Sequence, residues 1–314
     1  MDTAKLLRLK FSDLALEIEG SRLVPAIKQL ERELKRKGLK FKPYYWISRE
    51  WFCADGHPGI AIPFYLFDPN LMKLHKQQGQ KIEGKNHDDL MRYLRHECGH
   101  AIDNAYQLRG LKKRQEIFGP SKTRYPKSYR PQLYSKKYVT NIGDGYAQAH
   151  PEEDWAETFA IWLNPKSHWR KKYQNPVVKE KLIYIDELMK SLKHEEPKCR
   201  NTIRVEPLEK ISQTLKTFYQ HRASRNLFKN WKSTKASKKD IPLSTFLKAN
   251  KSKILKRMNP SGNYKKYQCE LLFKHAVLVS KQQKLTTYSN KQMLTKIEHM
   301  LSKYLKRDEY RIEM

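Results

Sequence analysis

The chain has 314 residues, enough for one large domain or two smaller ones that each bury a hydrophobic core. Charged residues make up 31% of it and apolar residues 39%, and no stretch approaches the roughly 20 apolar residues of a membrane-spanning helix. The first residues run directly into an amphipathic pattern without the apolar core of a signal peptide, so we expect a cytoplasmic protein without a membrane span.

Positive charge is in large excess and unevenly distributed. The chain contains 64 Lys and Arg against 33 Asp and Glu, a net charge of +31, and residues 200–314 alone carry 27 basic and 8 acidic residues. Such a surplus attracts polyanions, whether nucleic acid, acidic protein or anionic lipid. A lysine-rich background composition would give the same surplus without any such partner.

The N-terminal segment predicts helices. Apolar residues recur at spacings near 3.6, namely Leu6, Leu7, Leu14, Leu16, Ile18, Leu23, Ile27 and Leu30. A basic last turn followed by Gly38 predicts where this helical segment ends.

From residue 41 the pattern changes to that of short strands. Residues 43–48 are aromatic and β-branched, and residues 60–66 form a second apolar run after the turn-forming segment 55–59. Pro63 has no N–H, so its strand lies at the edge of a sheet or ends near this residue.

Further helices are predicted to begin near Asn86, at Pro151 and near Val177. Between the first two lies the polar stretch 111–145, for which we expect an extended surface loop. Lys-rich helical segments follow from about Thr202, with breaks near Pro242 and at residues 260–262. The four cysteines form no CxxC pair, and we expect all of them to be buried free thiols: Cys53, Cys98, Cys199 and Cys269.

Residues 96–100 read His-Glu-Cys-Gly-His. On a helix His96 and His100 lie one turn apart on one face, so both imidazoles can reach one metal ion, and Glu97 can contact a metal-bound water as general base. Gly99 costs about 1 kcal/mol relative to alanine inside a helix, so we expect close approach of another backbone or of substrate there. The opposite face is an apolar stripe that predicts core packing, formed by Leu90, Leu94, Cys98, Ala101 or Ile102, and Ala105.

A second group of candidate residues lies on the helix predicted from Pro151. A catalytic zinc ion has three protein ligands and an open position. Glu153 can supply the third ligand, and Glu157, one turn later, can accept the N–H of a ligating histidine and fix its tautomer. Asp103, three residues after His100, is an alternative third ligand or an alternative acceptor of that hydrogen bond.

Three other polar residues near this group have less specific interpretations. Tyr146 could donate a hydrogen bond to a developing oxyanion, and a packed aromatic side chain is the alternative. Glu152 and Asp154 lie in the first turn of the predicted helix. We interpret them as solvated charges that complement the helix dipole.

The runs 94–100 and 146–159, together with residues 51–66, resemble the bacterial putative zinc-binding metallopeptidases. The pattern Tyr-x6-Glu-x3-Glu is similar to that of the gluzincins, and the resemblance covers about residues 40–195. It implies a zincin-like α+β domain with a small sheet and an active-site helix, one catalytic Zn²⁺ and the hydrolysis of peptide bonds. It also implies ligands His96, His100 and Glu153, base Glu97, oxyanion donor Tyr146, and Glu157 as the acceptor behind a ligand.

We therefore predict an N-terminal helical segment (1–40), a zincin-like metallopeptidase domain (41–198) and a basic, mostly helical region (199–314). The expected partner is a peptide or protein substrate, which in a zincin-like fold could pair with a free strand edge at residues 59–64. Nucleic acid or another polyanion is a second expected partner, for residues 200–314.

The alternative function is that of a basic nucleic-acid-binding protein with a structural or vestigial metal site. Lysines would then contact phosphates, and aromatic side chains would stack on bases, namely Tyr219, Phe228, Trp231, Phe246 and Tyr264.

Overall fold

The structure is a computed structural model that describes residues 2–78, 80–126, 129, 131–132, 135–143, 145–223, 228, 231, 240–259, 266–282, 284–288 and 291–306. The chain divides into two compact units. Unit 1 comprises residues 1–75 and 81–213, and unit 2 comprises residues 76–80 and 214–314. Helices dominate both units, and small two-stranded sheets accompany them, in agreement with the predicted α+β class.

The elements up to residue 213 are α1 (Thr3–Arg8), α2 (Val24–Arg36), β1 (Tyr44–Ser48), β2 (Gly59–Pro63), α3 (Pro69–Gln77), α4 (His87–Tyr106), α5 (Lys112–Phe118), α6 (Pro151–Leu163), α7 (Trp169–Lys172) and α8 (Pro176–Ser191). Beyond residue 213 they are α9 (Leu215–Ala223), β3 (Asp240–Pro242), α10 (Leu243–Ala249), α11 (Lys251–Met258), α12 (Lys266–Gln282), β4 (Thr286–Tyr288) and α13 (Lys291–Lys306).

The N-terminal apolar pattern is only partly helical. Residues 14–23 contain four of its apolar members but form no helix, so the prediction is wrong there. Positive φ angles at Ala15 (44°) and Gly20 (71°) interrupt the backbone. The predicted end is confirmed, because Gly38 has φ 77° and the N–H of Leu39 donates to the carbonyl of Leu34.

Strands β1 and β2 pair in parallel, with Tyr44 opposite Gly59 and Ser48 opposite Pro63. β2 ends at Pro63 as predicted. All five residues of β2 are buried, and the N–H of Ala61 donates to the carbonyl of Phe52 at 2.9 Å. The expectation of a free edge for an extended peptide at residues 59–64 is therefore wrong.

Helices α4 and α6 begin where the sequence predicts. The side chain of Asn86 caps α4 by accepting the N–H of Asp89 at 2.9 Å, and His150 caps α6 by accepting the N–H of Glu152 at 3.1 Å. The predicted apolar stripe of α4 lies in the core, with Leu90, Leu94, Cys98, Ala101, Ile102 and Ala105 all at most 1% exposed.

The two helices pack backbone to backbone at Gly99. A Cβ atom at this position would lie 2.8 Å from Cα of Ala156, a distance that real Cβ contacts do not reach. The indole N–H of Trp155 also donates to the carbonyl of Gly99 at 2.8 Å. The predicted close approach at Gly99 is confirmed, and α6 supplies the backbone that makes it.

The polar stretch 111–145 is not a continuous loop. It begins with α5, whose Arg114 is fully buried between acidic side chains of α4 and α6. That helix depends on ion pairs with distant residues, and for this reason its local sequence did not reveal it. The described residues of 119–143 form no helix or strand.

Unit 2 has a hydrophobic core of its own, formed by Phe228, Leu243, Phe246, Leu247, Ile254, Met258, Cys269, Leu272, Phe273, Ala276, Val279, Leu294, Ile297 and Leu301. Phe228 and Phe246 belong to this core, and Tyr219 is only 2% exposed. These three rings are unavailable for stacking on bases, so that expectation is wrong for them. Trp231 packs partly against the core, while Tyr264 and the predicted break at 260–262 lie outside the described residues.

The four cysteines are free thiols, as predicted, but only Cys98 and Cys269 are buried; Cys53 and Cys199 are partly exposed. None of the helices in the described part of the chain combines the length and the apolar character needed to cross a bilayer.

Candidate metal centre

Three side chains from α4 and α6 converge on one point. Nε2 of His96 lies 3.1 Å from Oε2 of Glu153, and Nε2 of His100 lies 3.4 Å from the same oxygen. All three residues are at least 92% buried. The structure thus brings together the three residues that the sequence singled out as ligands, and they form a group able to hold a metal ion.

The donor set and its spacing fit a zinc ion. Zinc binds imidazole nitrogen and carboxylate oxygen at about 2.0–2.2 Å, so two ligands in a tetrahedral arrangement lie about 3.4 Å apart. The distances of 3.1 and 3.4 Å from Oε2 of Glu153 to the two imidazoles are close to this value. Oε2 of Glu153 is buried and makes no well-directed hydrogen bond within the described part of the chain. Two imidazoles and one carboxylate also leave the fourth position that a catalytic zinc needs.

Glu157 orients the imidazole of His96 through a hydrogen bond on the side opposite to Glu153. Its Oε1 accepts a hydrogen bond from Nδ1 of His96 at 2.9 Å, which leaves Nε2 of that imidazole facing Glu153. The carboxylate also accepts the backbone N–H groups of Asn141 (3.0 Å) and Ile142 (3.1 Å) and the side-chain amide of Asn141 (3.0 Å). Sequence reasoning missed Asn141, because nothing local distinguishes it within the polar stretch before α6.

The histidines and carboxylates of this group shift one another's pKa values. Burial disfavours the charged imidazole, but the adjacent carboxylates of Glu153 and Glu157 raise the pKa of His96 to about 10. Burial also disfavours the charged form of Glu153, yet His100 and His96 hold the pKa of this carboxyl well below its ordinary value. The carboxylate of Glu153 is therefore ionised, as a metal ligand must be.

Glu97 lies beside the two histidines and is 6% exposed. Burial raises the pKa of Glu97, while His96 and His100 act in the opposite direction. Its buried Oε2 has no hydrogen-bond partner among the described residues. A carboxylate that is not committed to another group can exchange a proton with a water molecule next to it.

Tyr146 follows Gly145, which has φ 69°, and begins a short 3-10 turn. The centre of its ring lies 5.5 Å from that of His96. Burial and the carboxylates of Glu153 and Glu97 raise the pKa of Tyr146, so the phenol keeps its proton and can donate a hydrogen bond.

Tyr125 makes a contact with Glu153 that the sequence did not indicate. Its hydroxyl donates to Oε1 of Glu153 at 3.0 Å. Its ring stacks on His150, with the ring centres 3.6 Å apart and an interplanar angle of 11°. This residue lies in a segment rich in tyrosine, and only the tertiary structure shows which tyrosine reaches the cluster.

Asp103 does not belong to the cluster, in contrast to both roles considered for it. The residue is fully buried, and its Oδ2 accepts hydrogen bonds from Arg114 (2.8 Å) and Arg109 (3.1 Å). The group able to hold a metal ion does not include Asp103, and the acceptor behind His96 is Glu157, so the structure supports neither role for Asp103. The sequence placed it on the correct side of α4 but gave no sign of these arginines.

The interpretation of Glu152 and Asp154 as solvated charges is also wrong. Both are at most 3% exposed. Oε2 of Glu152 accepts a hydrogen bond from Arg114 at 3.0 Å, and Oδ2 of Asp154 pairs with Nζ of Lys181 at 2.6 Å. A buried carboxylate is tolerated when it is paired, and these two carboxylates join α6 to α5 and α8.

Residues 72–178 match the model of a family described as putative zinc-binding metallo-peptidase. The matched segment is about a third of the chain and contains α4, α6 and all three residues of the cluster. The resemblance predicted from the sequence is thereby confirmed for this segment. No curated protein and no solved structure was found to match the chain.

Proposed function

We propose that this chain, whose residues 72–178 match the model of the putative zinc-binding metallo-peptidases, is a zinc-dependent metallohydrolase that hydrolyses peptide bonds. The observation that carries the proposal is the convergence of His96, His100 and Glu153 with an uncommitted Glu97 beside them. The order of these residues along the chain further supports a gluzincin-like site within a zincin-like domain.

His96, His100 and Glu153 would hold a single zinc ion. A bound zinc ion supplies Lewis-acid chemistry, activating a water molecule and polarising the carbonyl group under attack. Glu157 keeps the imidazole of His96 in the tautomer that presents Nε2. The buried, ionised carboxylate of Glu153 contributes one negative charge to the ligand set.

Glu97 is the proposed general base. It takes a proton from the attacking water and then returns that proton to the leaving amine. Burial raises the pKa of Glu97, which favours the protonated form that the second transfer needs. Tyr146 donates its phenolic hydrogen to the carbonyl oxygen of the substrate as negative charge develops there.

Replacement of Glu97 tests this assignment. We expect Glu97→Gln to keep its zinc and to lose about 10²–10⁴-fold in kcat, because only the proton acceptor is removed. Turnover is measured with fluorogenic peptide mixtures, and metal content by elemental analysis of the purified protein. A Glu97→Gln enzyme as active as the wild type would remove Glu97 from this role.

Metal content separates the ligands from their neighbours. His96→Ala and Glu153→Ala should lose the metal, because each removes one of three ligands. Asp103→Asn is the control, since Asp103 pairs with arginines and does not face the cluster. Purified wild-type protein without zinc and without affinity for added zinc would contradict the whole proposal.

A further inference from the structure

The two carboxylate oxygens of Glu153 have different surroundings. Oε2 faces the imidazoles of His96 and His100 at 3.1 and 3.4 Å. Oε1 instead accepts the hydroxyl hydrogen of Tyr125 at 3.0 Å. The carboxylate is therefore fixed in one rotational position, with one oxygen directed to the cluster and the other engaged elsewhere.

Tyr125 is itself held in a defined place. Its ring stacks on the imidazole of His150, whose Nε2–H donates to the carbonyl of Thr123 at 2.8 Å. Nδ1 of the same imidazole accepts the N–H of Glu152 at 3.1 Å, which makes His150 the N-cap of α6. The stacked ring and Glu153 are thus both positioned by the first turn of α6.

This arrangement matters because a carboxylate can bind zinc through one oxygen or through both. A catalytic zinc site needs an open position besides its three protein ligands. If Glu153 supplied both oxygens, the second oxygen would compete for that position. A hydrogen-bond donor on Oε1 opposes this second contact.

We propose that Tyr125 is a positioning residue that keeps Glu153 a one-oxygen ligand and so preserves the open coordination position. The inference rests on the proposed zinc site and assigns Tyr125 a role distinct from that of Tyr146, the proposed donor to substrate. Tyr125 is 44% exposed, and its hydrogen bond to the cluster is made through the hydroxyl oxygen. Removal of the hydroxyl oxygen therefore tests the hydrogen bond to Glu153 separately from the stacking of the ring on His150.

The test compares Tyr125→Phe with Tyr138→Phe in the full chain loaded with Co²⁺ or with Zn²⁺. Tyr125→Phe keeps the ring that stacks on His150 and removes only the donor. Tyr138→Phe is the matched control, because this tyrosine lies on the same segment and packs over Lys181. The visible absorption of bound Co²⁺ reports its coordination number, since four-coordinate Co²⁺ absorbs much more strongly than five-coordinate Co²⁺.

We expect Co²⁺ bound to Tyr125→Phe to absorb more weakly than Co²⁺ bound to the wild type, as Oε1 joins the coordination sphere. The kcat of the Zn²⁺ form should fall roughly 10–100-fold, the usual effect of losing a partner of a metal ligand, with KM nearly unchanged. Tyr138→Phe should match the wild type in both measurements. Tyr125→Leu removes the hydroxyl by a second route and should give the weak spectrum as well.

The outcomes distinguish the inference from the function on which it rests. A wild-type protein that takes up neither Zn²⁺ nor Co²⁺ would overturn the proposed function. If the wild type binds Co²⁺ in a four-coordinate site and both Tyr125 variants show the same spectrum, the role of Tyr125 is overturned and the zinc site stands.

Discussion

At the scale of single residues, the cluster depends on the segment before α6 as well as on the two helices that carry it. The carboxylate of Glu157 accepts three N–H groups from Asn141 and Ile142 in addition to that of His96. Four donors saturate a carboxylate, so Glu157 cannot rotate without losing several charge-assisted hydrogen bonds. The orientation of His96 is therefore set by residues that never touch the metal position.

Asn141→Ala tests this dependence. It removes one hydrogen bond to a buried charge, and we expect the free energy of unfolding to fall by about 1.5–3 kcal/mol. Zinc affinity should fall about tenfold or more, because the support of His96 is weakened. Urea unfolding and competition with a chromogenic chelator measure the two quantities.

A control for Asn141 is Asn175→Ala, which removes the side-chain cap of α8 and should cost about 1 kcal/mol. Since the side chain of Asn175 accepts the local N–H of Val177 and is not part of the metal-binding group found among the described residues, zinc affinity should not change. Equal zinc affinity in the two variants would show that Asn141 contributes to the stability of the fold and not to zinc binding.

The sequence predicted those residues of the cluster whose geometry is set locally, and it did not predict those that join the cluster through long-range contacts. His96 and His100 could be paired from their spacing, because a helix fixes the geometry of residues four apart. Tyr125 and Asn141 could not be found, since their contacts with Glu153 and Glu157 are 28 and 16 residues apart in sequence. No propensity rule predicts a contact of that kind.

At the scale of elements, the contact between α4 and α6 determines how far the two histidines lie from Glu153. Gly99 lies between His96 and His100 in sequence, and it is the point at which the two backbones touch. Any side chain at this position would move the ligands of one helix away from that of the other.

Gly99→Ala should therefore be destabilising even though alanine favours a helix by about 1 kcal/mol. We expect a net loss of about 1–3 kcal/mol in the free energy of unfolding, because the added methyl group meets Cα of Ala156. Gly110→Ala is the matched control, as a Cβ atom there has no neighbour within 4 Å. A Gly99→Ala protein as stable as the wild type in urea would contradict the tight packing.

Elements with strong local signals were predicted well, and those that depend on distant partners were not. The N-cap residue Asn86 and the first-turn residue Pro151 marked the starts of α4 and α6 to within a residue. Helix α5 was missed because Arg114 is buried through tertiary contacts, which include its pairing with Asp103 and Glu152. For the same reason, Glu152 and Asp154 were predicted to be solvated although they are buried: the sequence does not show which distant residues pair with them.

At the scale of the whole molecule, the cluster lies entirely in unit 1, while unit 2 encloses a hydrophobic core of its own. Unit 2 also carries most of the positive charge of the C-terminal region. Its role in binding nucleic acid or another polyanion stays a prediction, and the burial of Tyr219, Phe228 and Phe246 limits the stacking that such binding could use.

Metal removal should act on one unit only. A ligand that binds the folded state at 100 times its Kd stabilises that state by about 2.7 kcal/mol. We expect zinc to slow amide hydrogen exchange in α4 and α6, chelation to reverse this, and α10–α13 to exchange at the same rate throughout. Slower exchange across both units would contradict a metal effect confined to unit 1.

The burial of β2 bears on how a peptide would be chosen. A protease that pairs its substrate with an exposed strand edge recognises mainly the main chain of the peptide, so it accepts many peptide sequences. All five residues of β2 are buried, and the N–H of Ala61 already donates to the carbonyl of Phe52, so β2 does not offer such an edge to a peptide. Discrimination would then rest on contacts with the side chains of a peptide, so peptides that differ only in their side chains should be cleaved at clearly different rates.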